Sequence, residues 1–217
     1  MKQENFSIKK MFRRQRGYSL VELSIVLAIV AVISVGAIIG TRSIIQANAV
    51  NTQIKDSAAV MAKIQRLFIN QADTSGISMA NLVRMGVWPA ERSTAASTKV
   101  VEGKEVAVPA SVRGVLSGSG EAVTTNTASI GSLLKTKTGF LYRLSNVPTT
   151  ACADLVSGFD GMAYAIYVQT AGATAEPAAT DVVKVADTNT YDAGNLATAC
   201  DVSKANAVDV VLAIRLQ

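Results

Sequence analysis

Arg16-Gly17-Tyr18-Ser19-Leu20-Val21-Glu22-Leu23 opens an uncharged run that continues to Thr41, and the reading of that junction decides the fold. The stretch before it is polar and basic: Lys2, Lys9, Lys10, Arg13, Arg14 and Arg16 stand against Glu4 alone in residues 1–17. A secretory signal peptide carries its apolar stretch ahead of the cut and loses it. Here the processing point, after Gly17, precedes the apolar stretch, which therefore remains in the mature chain. From Leu20 to Gly40 the run is about 20 residues, which at a helical rise of roughly 1.5 Å per residue matches the hydrocarbon core of a bilayer. One span suffices. Lysine and arginine beside a span stay on the cytoplasmic side, so the C-terminal bulk faces outward.

Glu22 is the anomaly in this segment. A carboxylate near the start of a membrane helix is disfavoured by about 3 kcal/mol, and by less where it reaches the interface. Alone, it also reads as the last polar residue at the headgroups before the span. Joined to Gly17, the basic leader and an uncharged span, it reads as a functional carboxylate.

Composition narrows the function classes. The chain has 217 residues, 49% of them hydrophobic, enough for one globular core and an appendage. Removing the six bases and one acid of residues 1–17 from totals of 21 and 16 leaves 15 of each. The net charge of +5 thus belongs to the leader, and no nucleic-acid partner is expected from it. The absence of histidine removes the commonest general base and metal ligand. No nucleophile elbow or phosphate-binding loop is present, and Asp154 with Asp160, or Asp187 with Asp192, read as loop and turn residues. No enzymatic activity, cofactor or metal is expected. Cys152 and Cys200 are too few and too far apart for a zinc site of the usual paired spacing. In an exported domain they most simply pair with each other; in a cytosolic one they would be two buried thiols.

The junction Arg16 to Leu23 resembles the processing motif of type IV prepilins and related pseudopilins. The resemblance implies cleavage between Gly17 and Tyr18 by a prepilin peptidase, N-methylation of Tyr18, and an assembly role for Glu22 at the fifth mature position. Tyr18 stands where phenylalanine or methionine is common. The segment Asn146 to Cys152, followed by Cys200, and a mature length of 200 residues resemble the larger type IVb pilins of the conjugative thin-pilus and toxin-coregulated kind. That resemblance implies a Cys152–Cys200 disulfide. It also implies as partners the chain itself in a helical homopolymer, the inner membrane before assembly, and an inner-membrane assembly platform with its ATPase. The implied function is a structural pilus subunit for adhesion, aggregation or conjugative contact. Its head is periplasmic first and extracellular after assembly. The alternative is a pseudopilin of a type II secretion or DNA-uptake machine.

The physical reading agrees with that organisation. Ile44, Ala47, Val50, Ile54, Ala58, Met61, Ile64 and Leu67 recur at steps of three and four, and predict an apolar helix stripe. Arg42, Gln46, Asn51, Gln53, Lys55, Asp56, Lys63 and Arg66 cover its polar side. Gly36 and Gly40 interrupt the apolar run, and loosening of the helix there on filament entry is expected. Residues 78–88 predict a short helix ended by Gly86 and Pro89. Residues 91–131 predict solvent-facing loops and short strands. Strands are expected over 140–144, 162–168, 182–185 and 207–216, with a short helix over 151–156. The expected fold class is α+β, a long N-terminal helix packed on an antiparallel sheet. Its divisions are 1–17 leader, 18–41 apolar helix, 42–72 amphipathic continuation and 73–217 head.

Overall fold

The structure, a computed structural model, describes residues 19–71, 74, 76–101, 104–125, 138–173, 176–185, 190–201 and 203–216. The leader, Gly17, Tyr18 and Asp187 lie outside them. One helix, α1 (Leu20–Phe68), runs for 49 residues without a break at Gly36 or Gly40. Its early part is rich in isoleucine and valine, which are only moderate helix formers in water. In an apolar medium the choice is different, because a helix satisfies every backbone group internally. The helix is long and apolar enough to cross a membrane. The chain divides into two compact units, Met1–Ile44 and Ile45–Gln217. In the first, large apolar side chains such as Leu20, Ile25, Ile29 and Ile33 are all more than half exposed.

The second unit is an α+β head. After the last turns of α1 come α2 (Met79–Arg84), β1 (Ser93–Thr94), β2 (Ser97–Val101), β3 (Lys104–Val108), β4 (Ser111–Arg113), β5 (Gly120–Thr125) and β6 (Gly139–Pro148). Then follow α3 (Thr149–Gly158), β7 (Ala165–Thr170), β8 (Val182–Val185), β9 (Thr190–Tyr191), α4 (Ala193–Ala199) and β10 (Ala207–Arg215). Among the described residues, eight strands form one antiparallel sheet in the order β1-β4-β5-β6-β10-β7-β8-β9, and β2 with β3 forms a separate ribbon. The C-terminal strand β10 inserts between β6 and β7, pairing Leu212 with Tyr142 on one side and Ile166 on the other.

Central strands bury both faces, and the two-residue period of a strand assigns each side chain to one of them. Phe140, Tyr142, Leu144, Val210, Leu212 and Ile214 join the main core with the head portion of α1. Leu141, Ala165, Tyr167, Val211 and Ala213 form a smaller cluster on the opposite face. Cys152 of α3 is disulfide-bonded to Cys200 at the end of α4, with Cα atoms 5.6 Å apart and a sequence separation of 48. Closing a loop of that length stabilises the fold by about 4 kcal/mol in the chain-entropy model.

Several expectations need correction. The buried face of α1 is Val50, Gln53, Ser57, Val60, Met61, Ile64 and Phe68, whereas Ile44, Ala47 and Leu67 are exposed. The stripe is therefore rotated, and it includes two polar residues. Gln53 was placed with the polar side, yet it is fully buried because polar partners in the head meet it there. The helix stops at Phe68, before the turn signals near Gly76. The α2 helix covers only 79–84, capped by the Ser78 side chain, which accepts from the Asn81 N–H. Within 91–131, β5 is not a solvent-facing strand: it pairs with β6, and Glu121 and Val123 are buried. Asp154 lies within α3, and Asp192 is the N-cap of α4, a helix that the sequence reading lacked.

Candidate functional site

Three places among the described residues carry polar groups in apolar surroundings. The first is the opening turn of α1. The Ser19 hydroxyl accepts from the Val21 N–H at 3.4 Å, and the Ser19 carbonyl accepts the Leu23 N–H at 3.0 Å. Glu22 sits in this turn, exposed. Free N–H groups and the helix dipole make the first turn electropositive, so a carboxylate is favoured here relative to anywhere further along the span. Ser19-Leu20-Val21-Glu22 also has the spacing of a capping box, a local role that its sequence makes legible. The turn thus presents a carboxylate at the entrance of a helical run that carries no other charge as far as Thr41. The cleavage pair Gly17 and Tyr18 lies outside the described residues.

The second place is inside the head. Glu121 on β5 is 3% exposed. Its Oε1 accepts from Gln53 Nε2 at 2.9 Å and from the Arg92 guanidinium. Its Oε2 accepts from Trp88 Nε1 and from the Tyr142 hydroxyl, both at 2.6 Å. Arg92 also pairs with Asp56 of α1 at 2.6 Å. Gln53 Oε1 accepts the Val115 N–H at 2.6 Å, and Ser57 lies 3.1 Å from the Tyr142 oxygen. Three residues of α1, the segment between α2 and β1, and strands β5 and β6 are joined through one carboxylate.

A buried charge with all its lone pairs occupied is tolerated, and removing any partner leaves an unpaired group in a dry environment. Burial pushes the Tyr142 phenol well above its ordinary value, and the adjacent Glu121 carboxylate pushes it further. This tyrosine stays protonated and serves as a donor. The arrangement fixes the rotation and axial register of α1 on the sheet. It holds no nucleophile or free base, so its chemistry is that of a latch. Sequence reasoning missed it, since Gln53, Trp88, Glu121 and Tyr142 lie far apart in the chain. The one local sign was Gln53 and Ser57 sitting one turn apart on a helix face otherwise apolar.

Asp209 is a second buried carboxylate, 1% exposed, on the opposite sheet face. It accepts from the Asn146 N–H at 2.9 Å and the Gly172 N–H at 3.2 Å, and it pairs with Arg143 at 3.3 Å. It lies at the bulge of β10 between Val208 and Val210, and Asn146 adopts a positive φ of 55° to reach it. Its role is structural.

The comparisons with known proteins bear on the first place. Residues 12–38 match the prokaryotic N-terminal methylation motif, a window that takes in Gly17, Tyr18 and Glu22. No curated protein matches the chain at a significant level. Among solved structures the chain is similar to the type IV b pilin from Salmonella typhi. The two share 14% identity over 76% of this chain and 99% of that one, with a TM-score of 0.48. The chain thus carries the prokaryotic N-terminal methylation motif leading into a long apolar helix whose later turns pack on an antiparallel, disulfide-bonded sheet domain.

Proposed function

We propose that this chain is a structural subunit of a type IV pilus, of the larger type IVb kind. It is cut between Gly17 and Tyr18 by a prepilin peptidase, methylated on the Tyr18 amine, and held in the inner membrane by its apolar helix until assembly. The observation that carries the reading is the N-terminal methylation motif at residues 12–38, followed without interruption by α1. After the cut, Tyr18 bears a cationic amine beside an apolar helix. In a filament core that amine needs an anion, and Glu22 of another copy supplies one. At about 4 Å and an effective dielectric near 20 the attraction is roughly 4 kcal/mol before desolvation is subtracted. An unpaired charge at that position disfavours assembly, so the pair sets register as well as contributing affinity.

Mass spectrometry of the mature N-terminus tests the processing: a methylated Tyr18 is expected, and a functional pool that begins at Met1 refutes it. The role of Glu22 is tested by E22A and E22Q together. Glutamine retains a capping-box acceptor and removes the charge. Filament yield should fall at least tenfold in both variants; a normal yield in E22Q reduces Glu22 to a helix cap. The disulfide and the size of the head favour a pilus over a secretion or DNA-uptake pseudopilus. Sheared surface filaments made mostly of this chain are the expected result, and a purely periplasmic pool supports the pseudopilin.

A further inference from the structure

Asp160-Gly161 is the one place in the chain where a glycine follows an aspartate or an asparagine. Aspartate before glycine is chemically vulnerable, because no side chain stands between the carboxyl group and the next amide nitrogen. The fold decides whether that attack is open. Asp154 lies within α3 and Asp192 caps α4, so helical backbone fixes the residue that follows each. Asp160 and Gly161 instead occupy the turn between α3 and β7, with Gly161 exposed and nothing within 4 Å of a Cβ built on it. In this turn the Asp160, Met162 and Ala163 N–H groups donate to the Ser157 and Phe159 carbonyls. Among the described residues the Gly161 N–H has no partner.

One contact opposes the reaction. The Asp160 Oδ1 pairs with Lys184 Nζ of β8 at 2.6 Å, and the same ammonium donates to the Asp160 carbonyl. Lys184 is 8% exposed, whereas the Asp160 side chain is 51% exposed. An ammonium buried to that degree is unfavourable without its acceptors, so the pair is kept from the lysine side. It holds the carboxyl group toward β8. Ring closure requires the opposite movement, bringing Cγ onto the Gly161 nitrogen.

We propose that Asp160-Gly161 is a site of spontaneous isoaspartate formation and that Lys184 restrains it. The Gly161 nitrogen loses its proton and bonds to Asp160 Cγ, while one carboxyl oxygen departs as water. The cyclic imide then takes water back at either carbonyl. Opening at Cγ restores aspartate. Opening at the main-chain carbonyl leaves the chain running through Cβ and Cγ, one methylene longer and of unchanged mass. The carboxylate is then displaced from Lys184, and the tie between this turn and β8 is lost. The chemistry needs only water and is independent of assembly into a filament.

Ageing of the purified full-length chain in detergent at neutral pH provides the test, with isoaspartate counted by enzymatic methyl transfer and located by electron-transfer mass spectrometry. Isoaspartate at 160 should exceed that at every other aspartate or asparagine, and G161A should lower it at least fivefold. K184M and K184Q, which remove the charge and keep a stem, should raise it at least threefold; K184R should stay near the wild-type rate. Either neutral variant that folds serves. Y142F, which weakens the head at a distance from the turn, should leave the rate unchanged and so separates the tether from general loss of stability. A position 160 no richer in isoaspartate than the rest, or equal rates in the wild-type chain and the neutral variants, overturns the proposal.

Discussion

Two tyrosines of equal burial sit on opposite faces of the sheet and meet opposite circumstances. The Tyr142 hydroxyl donates to Glu121, whereas the Tyr167 hydroxyl has no hydrogen-bond partner among the described residues. Removing a used donor beside a buried carboxylate leaves that carboxylate short of a bond, a loss of about 1–3 kcal/mol; removing an unused one relieves a desolvation penalty. Tyr142→Phe should therefore lower the midpoint of urea unfolding. Tyr167→Phe should leave it unchanged or raise it by the equivalent of up to about 1 kcal/mol. Equal losses in the two variants would show that burial alone, not the Glu121 contact, sets their worth. The chain sequence made both tyrosines visible as strand residues of the sheet. It could not rank them, since the ranking depends on a glutamate from another strand and a serine from the helix.

Among the helices, the approach of α3 to α1 turns on Gly158. A Cβ there would overlap the Cδ1 of Ile54 and come within 3.0 Å of its Cγ1. Gly158→Ala should destabilise the head by about 1–3 kcal/mol, as overpacking does. Pairing it with Ile54→Val should return part of that loss, read as a non-additive double-mutant cycle in denaturant unfolding. Gly36, by contrast, has nothing within 4 Å of a built Cβ. Gly36→Ala should leave head unfolding untouched and raise the helicity of the apolar segment by up to about 1 kcal/mol, read by circular dichroism in detergent. Periodicity located α1 well, because a 49-residue helix without proline leaves a strong local pattern. It set the limits of the inward face wrongly: Val50, Met61 and Ile64 are buried and Ile54 packs on the core as expected, but Ile44, Ala47 and Leu67 are exposed and Gln53 and Ser57 are buried. Only the partners across the interface place those two polar residues inward.

For the head taken together, the clearest pH response lies on the alkaline side. Burial, with a smaller contribution from nearby Tyr164, pushes the Tyr167 phenol up to about 12, and Tyr142 is also raised. A phenol is charged only when it has lost its proton, so a raised folded value favours the protonated folded form. The stability this supplies is whole below the unfolded value near 10 and is lost as pH rises toward about 12, because the unfolded chain ionises first. Thermal unfolding monitored by circular dichroism should hold its midpoint up to about pH 10 and then fall. Tyr167→Phe should flatten part of that fall relative to the wild-type chain, which separates it from lysine titration in the same range. An identical alkaline profile in the variant would remove Tyr167 as a cause.

The sequence by itself determined the early helix, the placement of all net charge in the leader, the α+β class and most central strands. Each of these rests on neighbours in the chain: a run of uncharged residues, a cluster of bases, a period of two or of three and a half. Tertiary structure decided the inward face of α1, the insertion of β10 between β6 and β7, the existence of α4 and the burial of Glu121. The physical reason is common to them. Burying a polar side chain is unfavourable in isolation and acceptable only when its partners converge from distant parts of the chain. Gln53 looks solvent-facing until Glu121 and the Val115 N–H are placed beside it.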